Sequence, residues 1–217
     1  MDDTLHATAK NARALVTRGE LRGAALMAQL LAVPFRDRDA FADELLALPE
    51  IPDDAPDLPR GAVPYIPCSV EDIIALVRDV PVRTNDHVVD LGAGLGRVLF
   101  LTHLLTGARA HGVEIQDSLV RMARACARDL GVTEVSFEHA NAAESALDGS
   151  IFFMHAPFNG PMLASVLLRV EAVAKRRPII VAAVGMEFPG VTWLHPLPTS
   201  SVTLALYESR VAGVPHR

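Results

Sequence analysis

The arrangement of apolar and polar positions along the chain changes character twice. Up to residue 48 the apolar residues recur at helical spacing. Leu15, Leu21, Leu26, Leu30 and Leu31 sit among alanines and polar residues with a break near Gly19, and Phe41, Leu45, Leu46 and Leu48 mark a further short helix. Between 49 and 64 no period survives, because Pro49, Pro52, Pro56, Pro59, Gly61 and Pro64 interrupt any regular element. Beyond 64 short apolar runs alternate with amphipathic stretches. This predicts strands near 87–91, 109–114, 134–139, 150–155 and 178–184 with helices between them, the pattern of a mostly parallel sheet covered on both faces.

The helical stretches carry their own signals. Ser69 and Asp72 cap a helix through Val77, and Val98 to Leu105 forms another. From Ser118 to Leu130, Leu119, Met122, Ala123, Cys126 and Leu130 share one face while Arg121, Arg124 and Arg128 share another, so the arginines read as a solvated face rather than a phosphate site. Val191 to His195 and Val202 to Tyr207 read as two terminal strands joined through Pro196, Pro198, Thr199 and Ser200, and little room remains for a helix before them. The expected organisation is a helical cap over 1–48, a proline-rich acidic linker over 49–64 and one α/β domain over 65–217. The cap serves either packing and homodimerisation or substrate selection.

Composition narrows the function classes. At 217 residues and 50% apolar content the chain can bury one sizeable core but hardly two enzymatic domains. No signal segment or bilayer-length apolar run is visible, and Cys68 and Cys126 form neither a paired framework nor a metal-spaced cluster. The expectation is a cytoplasmic protein without membrane contact or bound metal. The net charge is −6, and the segment from Arg36 to Arg60 alone holds eight acids against three arginines, a local −5. That surplus argues against strong nucleic-acid binding and permits a cationic protein or a small molecule as partner.

The most specific signal is the run Val88-Val89-Asp90-Leu91-Gly92-Ala93-Gly94-Leu95-Gly96-Arg97, a buried strand ending in an acid and opening through three alternating glycines into a helix. Glycine permits positive φ and lets a ligand approach the backbone, while the helix N-terminus offers unpaired N–H donors. The next strand ends at Glu114, close to the interval of about 20 residues at which an acid meets ribose hydroxyls in nucleotide-binding folds. Arg97 stands where the dinucleotide fingerprint needs its third glycine, which disfavours a nicotinamide-dependent oxidoreductase.

The series Asp-Leu-Gly-Ala-Gly-Leu-Gly followed by Glu114 resembles the S-adenosyl-L-methionine (SAM) motif of class I methyltransferases, with fold order similar over about 60–210. The resemblance implies a Rossmann-like, doubly wound, mostly parallel seven-stranded sheet with a C-terminal β-hairpin, preceded here by the helical extension. It further implies that Gly92, Ala93, Gly94 and Gly96 line the methionine and ribose side, that Asp90 lies near the cofactor's amino group, and that Glu114 takes both ribose hydroxyls beside Ile115. Asn141 and Ala142, ending the third strand, would meet the adenine, although Asn141 can equally cap the segment that follows.

The acceptor side falls at the end of the fourth strand, at His155-Ala156-Pro157-Phe158-Asn159. It is partly similar to the Asn/Asp-Pro-Pro-Phe/Tyr signature of amino-group methylases, but His155 and Ala156 replace the amide and the first proline, which argues against adenine or cytosine methylation. Pro157 and Phe158 could form an apolar shelf and His155 could accept a proton, against the alternative that His155 is a structural histidine and Asn159 a helix cap. Pro64-Tyr65-Ile66-Pro67-Cys68-Ser69 resembles the segment preceding the SAM motif in small lysine methyltransferases related to the mitochondrial ATP synthase c-subunit enzyme, which implies that Tyr65 and Ser69 approach the cofactor, and Tyr65 is expected to join His155, Pro157 and Phe158 as a catalytic residue facing the methyl group from the opposite side of the crevice. The reading is a SAM-dependent methyltransferase acting on a nitrogen or oxygen nucleophile of a protein lysine or a small molecule. The alternative is a non-catalytic SAM or nucleotide sensor.

Overall fold

A computed structural model describes residues 1–214; the last three positions of the domain expected over 65–217 lie outside the described residues. Four helices precede the sheet: α1 (Asp3–Thr17), α2 (Gly23–Ala32), α3 (Arg38–Leu46) and α4 (Val70–Asp79). Then follow β1 (His87–Leu91), α5 (Arg97–Thr106), β2 (Arg109–Glu114), α6 (Asp117–Leu130), β3 (Val135–His139), β4 (Ile151–His155), α7 (Gly160–Ala174), β5 (Ile180–Val184), β6 (Leu194–Leu197) and β7 (Leu204–Ser209). Among the described residues no helix is long and apolar enough to cross a membrane.

The seven strands lie in the order β3-β2-β1-β4-β5-β7-β6. The first five are parallel, and β7 runs antiparallel between β5 and β6. Each central strand buries both faces by simple alternation. In β4, Ile151 and Phe153 point into the core beneath α1 to α6, whereas Phe152 and Met154 point into the core beneath α7. The same alternation in β1 sends Val88 toward the first core and Val89 and Leu91 toward the second, so Asp90 falls on the α5 side.

The N-terminal helices do not form a separate body. Leu26, Leu30, Phe41, Leu45 and Leu46 are fully buried and share one apolar cluster with Ile73 and Leu76 of α4 and Leu99 and Phe100 of α5. In α4 the Ser69 hydroxyl accepts from the Asp72 amide at 3.1 Å and donates to its carboxylate at 2.8 Å, the reciprocal cap that the spacing predicts. Ser69 is thereby committed to the helix and does not border the crevice described below.

The terminal hairpin differs from expectation. Val191 turns back toward Phe188 instead of starting a strand, and Pro196 lies within β6 opposite Tyr207 rather than in the connection. β6 is the edge of the sheet, so the missing proline N–H takes no partner from the ladder.

Candidate functional site

Strand order reverses between β1 and β4, so a crevice opens beyond their carboxyl ends. The loop leaving β1 occupies one side of it. Gly92 and Gly94 adopt φ of 93° and 53°, a left-handed backbone that costs glycine little. The loop is tied to the end of β2. Gly92 and Ala93 donate to the Val113 carbonyl at 2.8 and 3.2 Å, and one carboxylate oxygen of Glu114 accepts from the Gly94 amide at 2.9 Å. The other accepts from the Gln116 amide at 2.9 Å. Burial pushes the Glu114 carboxyl up from its ordinary value, and these amides pull it back in part.

Two cavities share this crevice. The larger is bordered by Glu114, Ile115, Asn141 and Ala142 on one side and by His155, Pro157 and Phe158 on the other. The smaller is bordered by Asp90, Ala93, Cys68, Arg97 and Phe153. Tyr65, Ile66, Gly92 and His155 border both, so the two spaces form one crevice divided by the Tyr65 segment.

The divider is set by Gly94. A Cβ there would lie 1.8 Å from the Tyr65 ring, so the ring rests directly on the bare backbone and covers it. Gly96 lies deeper, capping α5 with φ 86°, and a Cβ on it would meet the Phe137 ring at 2.4 Å. Neither glycine lines an open cavity. Burial pushes the Tyr65 hydroxyl up to about 12, with Arg97 opposing, so Tyr65 stays a neutral phenol and can donate a hydrogen bond but not act as a base. Burial also pushes the Cys68 thiol well up, which makes it an inert wall.

Asp90 is 2% exposed, and among the described residues no donor meets its carboxyl group. Burial, with the Glu114 charge adding to it, pushes this carboxyl well above the ordinary range. A buried acid without a protein partner, bordering a cavity, is a cradle for a cationic group from a ligand.

At the end of β4 the His155 ring places Nδ1 3.2 Å from the Ile66 carbonyl oxygen. A carbonyl only accepts, so Nδ1 is the ring nitrogen that donates to Ile66, which leaves Nε2 as the one that faces away from that bond. Ala156 turns the chain with φ 42°, an uncommon conformation for an alanine. The turn seats Pro157 against Gly92, where a Cβ on the glycine would lie 2.4 Å from the proline Cβ. Phe158 is nearly buried beneath the crevice. Asn159 precedes α7 as its cap residue but makes no side-chain cap bond.

Sequence reasoning did not anticipate the course of residues 49–64. They contain no helix, but the segment is a strap laid across the crevice rather than a loose connector. Asp54 accepts from the Tyr65 amide at 3.1 Å and from the Gln116 side chain at 2.7 Å, and the Gln116 side-chain oxygen accepts from the Ala55 amide at 2.8 Å. On the other side Val63 donates to the Pro157 carbonyl at 3.0 Å and Asn159 donates to the Gly61 carbonyl at 2.8 Å. Ala62, Val63, Pro64 and Met162 thus join the cavity wall. The one available signal was Gln116, a polar residue two positions after the strand-ending acid that proves buried.

Asn141 borders the larger cavity, and its side chain also organises the turn that follows. Its carbonyl accepts from Ala143 N–H at 3.0 Å and its amide donates to Glu144 at 2.9 Å. The second lone pair of that carbonyl remains for a ligand. On α6, Arg124 spends its guanidinium on the Phe137 carbonyl and Arg121 pairs with Asp117.

Residues 83–183 match the family model described as a methyltransferase domain. No curated protein matches the chain. Among solved structures, the chain is similar to an RNA methyltransferase from Salinibacter ruber in complex with S-adenosyl-L-homocysteine, at 20% identity and TM-score 0.54 over 69% of this chain and 97% of that one. A variant of MtNAS in complex with S-adenosylmethionine aligns at 16% identity and TM-score 0.51 over 64% and 61% of the two chains. The mitomycin 7-O-methyltransferase MmcR aligns at 13% identity and TM-score 0.52, over 65% and 53%. These likenesses are of fold.

Proposed function

We propose, of a chain that carries a class I SAM-dependent methyltransferase domain, that its crevice binds SAM and directs methyl transfer to a nitrogen or oxygen nucleophile of a protein lysine or a small molecule. The observation that carries this reading is Glu114. Two backbone amides hold its carboxylate at the end of β2, beside the same cavity that His155, Pro157 and Phe158 border from β4. SAM, when bound, supplies an electrophilic methyl group on a sulfonium. The chain's own residues fit it: the remaining lone pairs of Glu114 can accept from ribose hydroxyls, and Asp90 can take the amino group. Ile115, Ala142 and the spare Asn141 lone pair border the space available to the base.

The rest of the work is alignment and the exclusion of water. The strap and the shelf of Pro157 and Phe158 enclose the reacting space, where a fixed nucleophile gains from orientation and a drier surround. His155 is the group placed to take a proton, at Nε2, because Ile66 occupies Nδ1. Tyr65 positions and does not deprotonate.

Calorimetric titration with S-adenosylhomocysteine (SAH) tests the first half of this reading, and transfer of labelled methyl to lysine-containing peptides and small-molecule amines and hydroxyls tests the second. Binding and transfer are expected together. Tight SAH binding without transfer to any acceptor would favour the non-catalytic sensor.

A further inference from the structure

The walls of the crevice differ in charge from one side to the other. Among the described residues, Glu114 is the only Asp, Glu, Lys or Arg that borders the larger cavity, and the smaller one adds Asp90 and Arg97. All three are committed. Arg97 is forked on Asp43 of α3, its Nε and Nη2 meeting the two carboxylate oxygens at 2.8 and 2.6 Å, and the SAM reading gives Glu114 to the ribose and Asp90 to the amino group. What remains for an acceptor is an apolar wall. Val63, Pro64 and Ile66 come from the strap, Pro157 and Phe158 from the loop after β4 and Met162 from α7, with His155 as the group there that can take a proton. The acidic surplus of the strap does not reach this wall. Glu50, Asp53, Asp54 and Asp57 are exposed and border neither cavity, and Asp54 is engaged by the Tyr65 amide and the Gln116 side chain.

We propose that the methyl acceptor is a small apolar molecule carrying a neutral hydroxyl, and not a lysine side chain. The inference rests on the SAM reading above and narrows its acceptor. An alkylammonium keeps its proton up to about pH 10. Against this wall it would shed its water with no carboxylate to replace it, and it would stand as a second cation beside the sulfonium. A hydroxyl meets neither cost. Its apolar frame gains by covering Pro157, Phe158 and Ile66, which is 62% exposed in the free chain. In the transfer the hydroxyl oxygen bonds the methyl carbon through a lone pair, the electron pair of the broken carbon–sulfur bond stays on sulfur, and the hydroxyl proton passes to Nε2 of His155. One positive charge moves from sulfur to the imidazole and none is added.

The test is calorimetric titration of the full chain, with and without SAH and near neutral pH, using 2-naphthalenemethanol and 2-naphthylmethylamine, which share an apolar frame and differ as hydroxyl against ammonium. The alcohol should bind the SAH-loaded chain about tenfold more tightly or better, because an ion without a partner is costly in such a site. Ile66→Glu, at an exposed position whose carbonyl meets His155, puts a carboxylate at the mouth and should move the preference toward the amine. Label from SAM should pass to the alcohol and not to a lysine-containing peptide. Equal binding of the two ligands, tighter binding of the amine, binding of neither, an unmoved preference in Ile66→Glu or transfer to the peptide would each overturn the proposal. Failure of the chain to bind SAH, with the alcohol still preferred over the amine, would instead refute the SAM reading.

Discussion

The two loops that meet across the crevice bend the chain the same way with different residues. After β1 the left-handed positions are Gly92, Gly94 and Gly96; after β4 the left-handed position is Ala156, with φ 42°. The glycine loop needs its residues twice over, for φ and because Pro157 and the Tyr65 ring lie where side chains would be. The β4 loop has only the bend, held by Pro157 against Gly92 and by the strap against Phe158. The first loop is shaped by its own sequence. The second is shaped by what packs on it, and it is the side to which the proposed function assigns the acceptor.

If the β4 side carries the chemistry, the largest effect should come from His155. With an acceptor in hand, His155→Ala should lower turnover roughly 10²- to 10⁴-fold at saturating substrate while SAH affinity stays near wild type. A loss seen only in melting temperature would make it a structural histidine. On the other side Glu114→Ala should weaken SAH by roughly 1.5–3 kcal/mol through lost bonds to ribose, read by calorimetry. Unchanged affinity in a folded variant would remove Glu114 from the site.

The acids sharpen the comparison through pH. Asp90 and Glu114 are both raised, so between the ordinary carboxylate range and their shifted values the folded chain binds more protons than the unfolded one. Stability of the free protein should therefore fall as pH rises through that window. Ligand binding runs the other way. An ammonium against Asp90 favours the carboxylate and expels a proton, so SAH affinity should rise with pH by up to about tenfold per unit until Asp90 is ionised. Calorimetry across pH measures this slope, and an affinity that falls with pH would contradict the role given to Asp90.

The smallest effect is expected at the bend itself. Ala156→Gly relieves a left-handed cost of roughly 1–2 kcal/mol and incurs a glycine entropy cost of roughly 0.5–1 kcal/mol, for a net gain of about 1 kcal/mol or less. A thermal melt should rise by a few degrees at most. A clear fall would mean that the bend is not strained.

These contrasts explain what could be read from the chain. The glycine spacing, the acid ending β2 and the short apolar runs of β1 and β4 are local, and each leaves a mark in sequence. The fold order followed from them. The strap leaves none, since its hydrogen bonds join Asp54 to Gln116 and Val63 to Pro157 across long separations. Prolines without a period read equally as a linker. Arg97 was legible as a departure from the dinucleotide fingerprint, but its partner Asp43 lies 54 residues earlier on a helix whose acids all resemble a solvated face. Ala156 carries no signature because alanine seldom takes that conformation.

The most direct test of the account is a crystal structure of the protein soaked with SAH. Ribose hydroxyls are expected on Glu114, the ligand amino group on Asp90, and the sulfur facing an open space bordered by His155 and Phe158. Density for the nucleoside away from Glu114, or His155 and Phe158 packed between sheet and helix with no route to the sulfur, would contradict it.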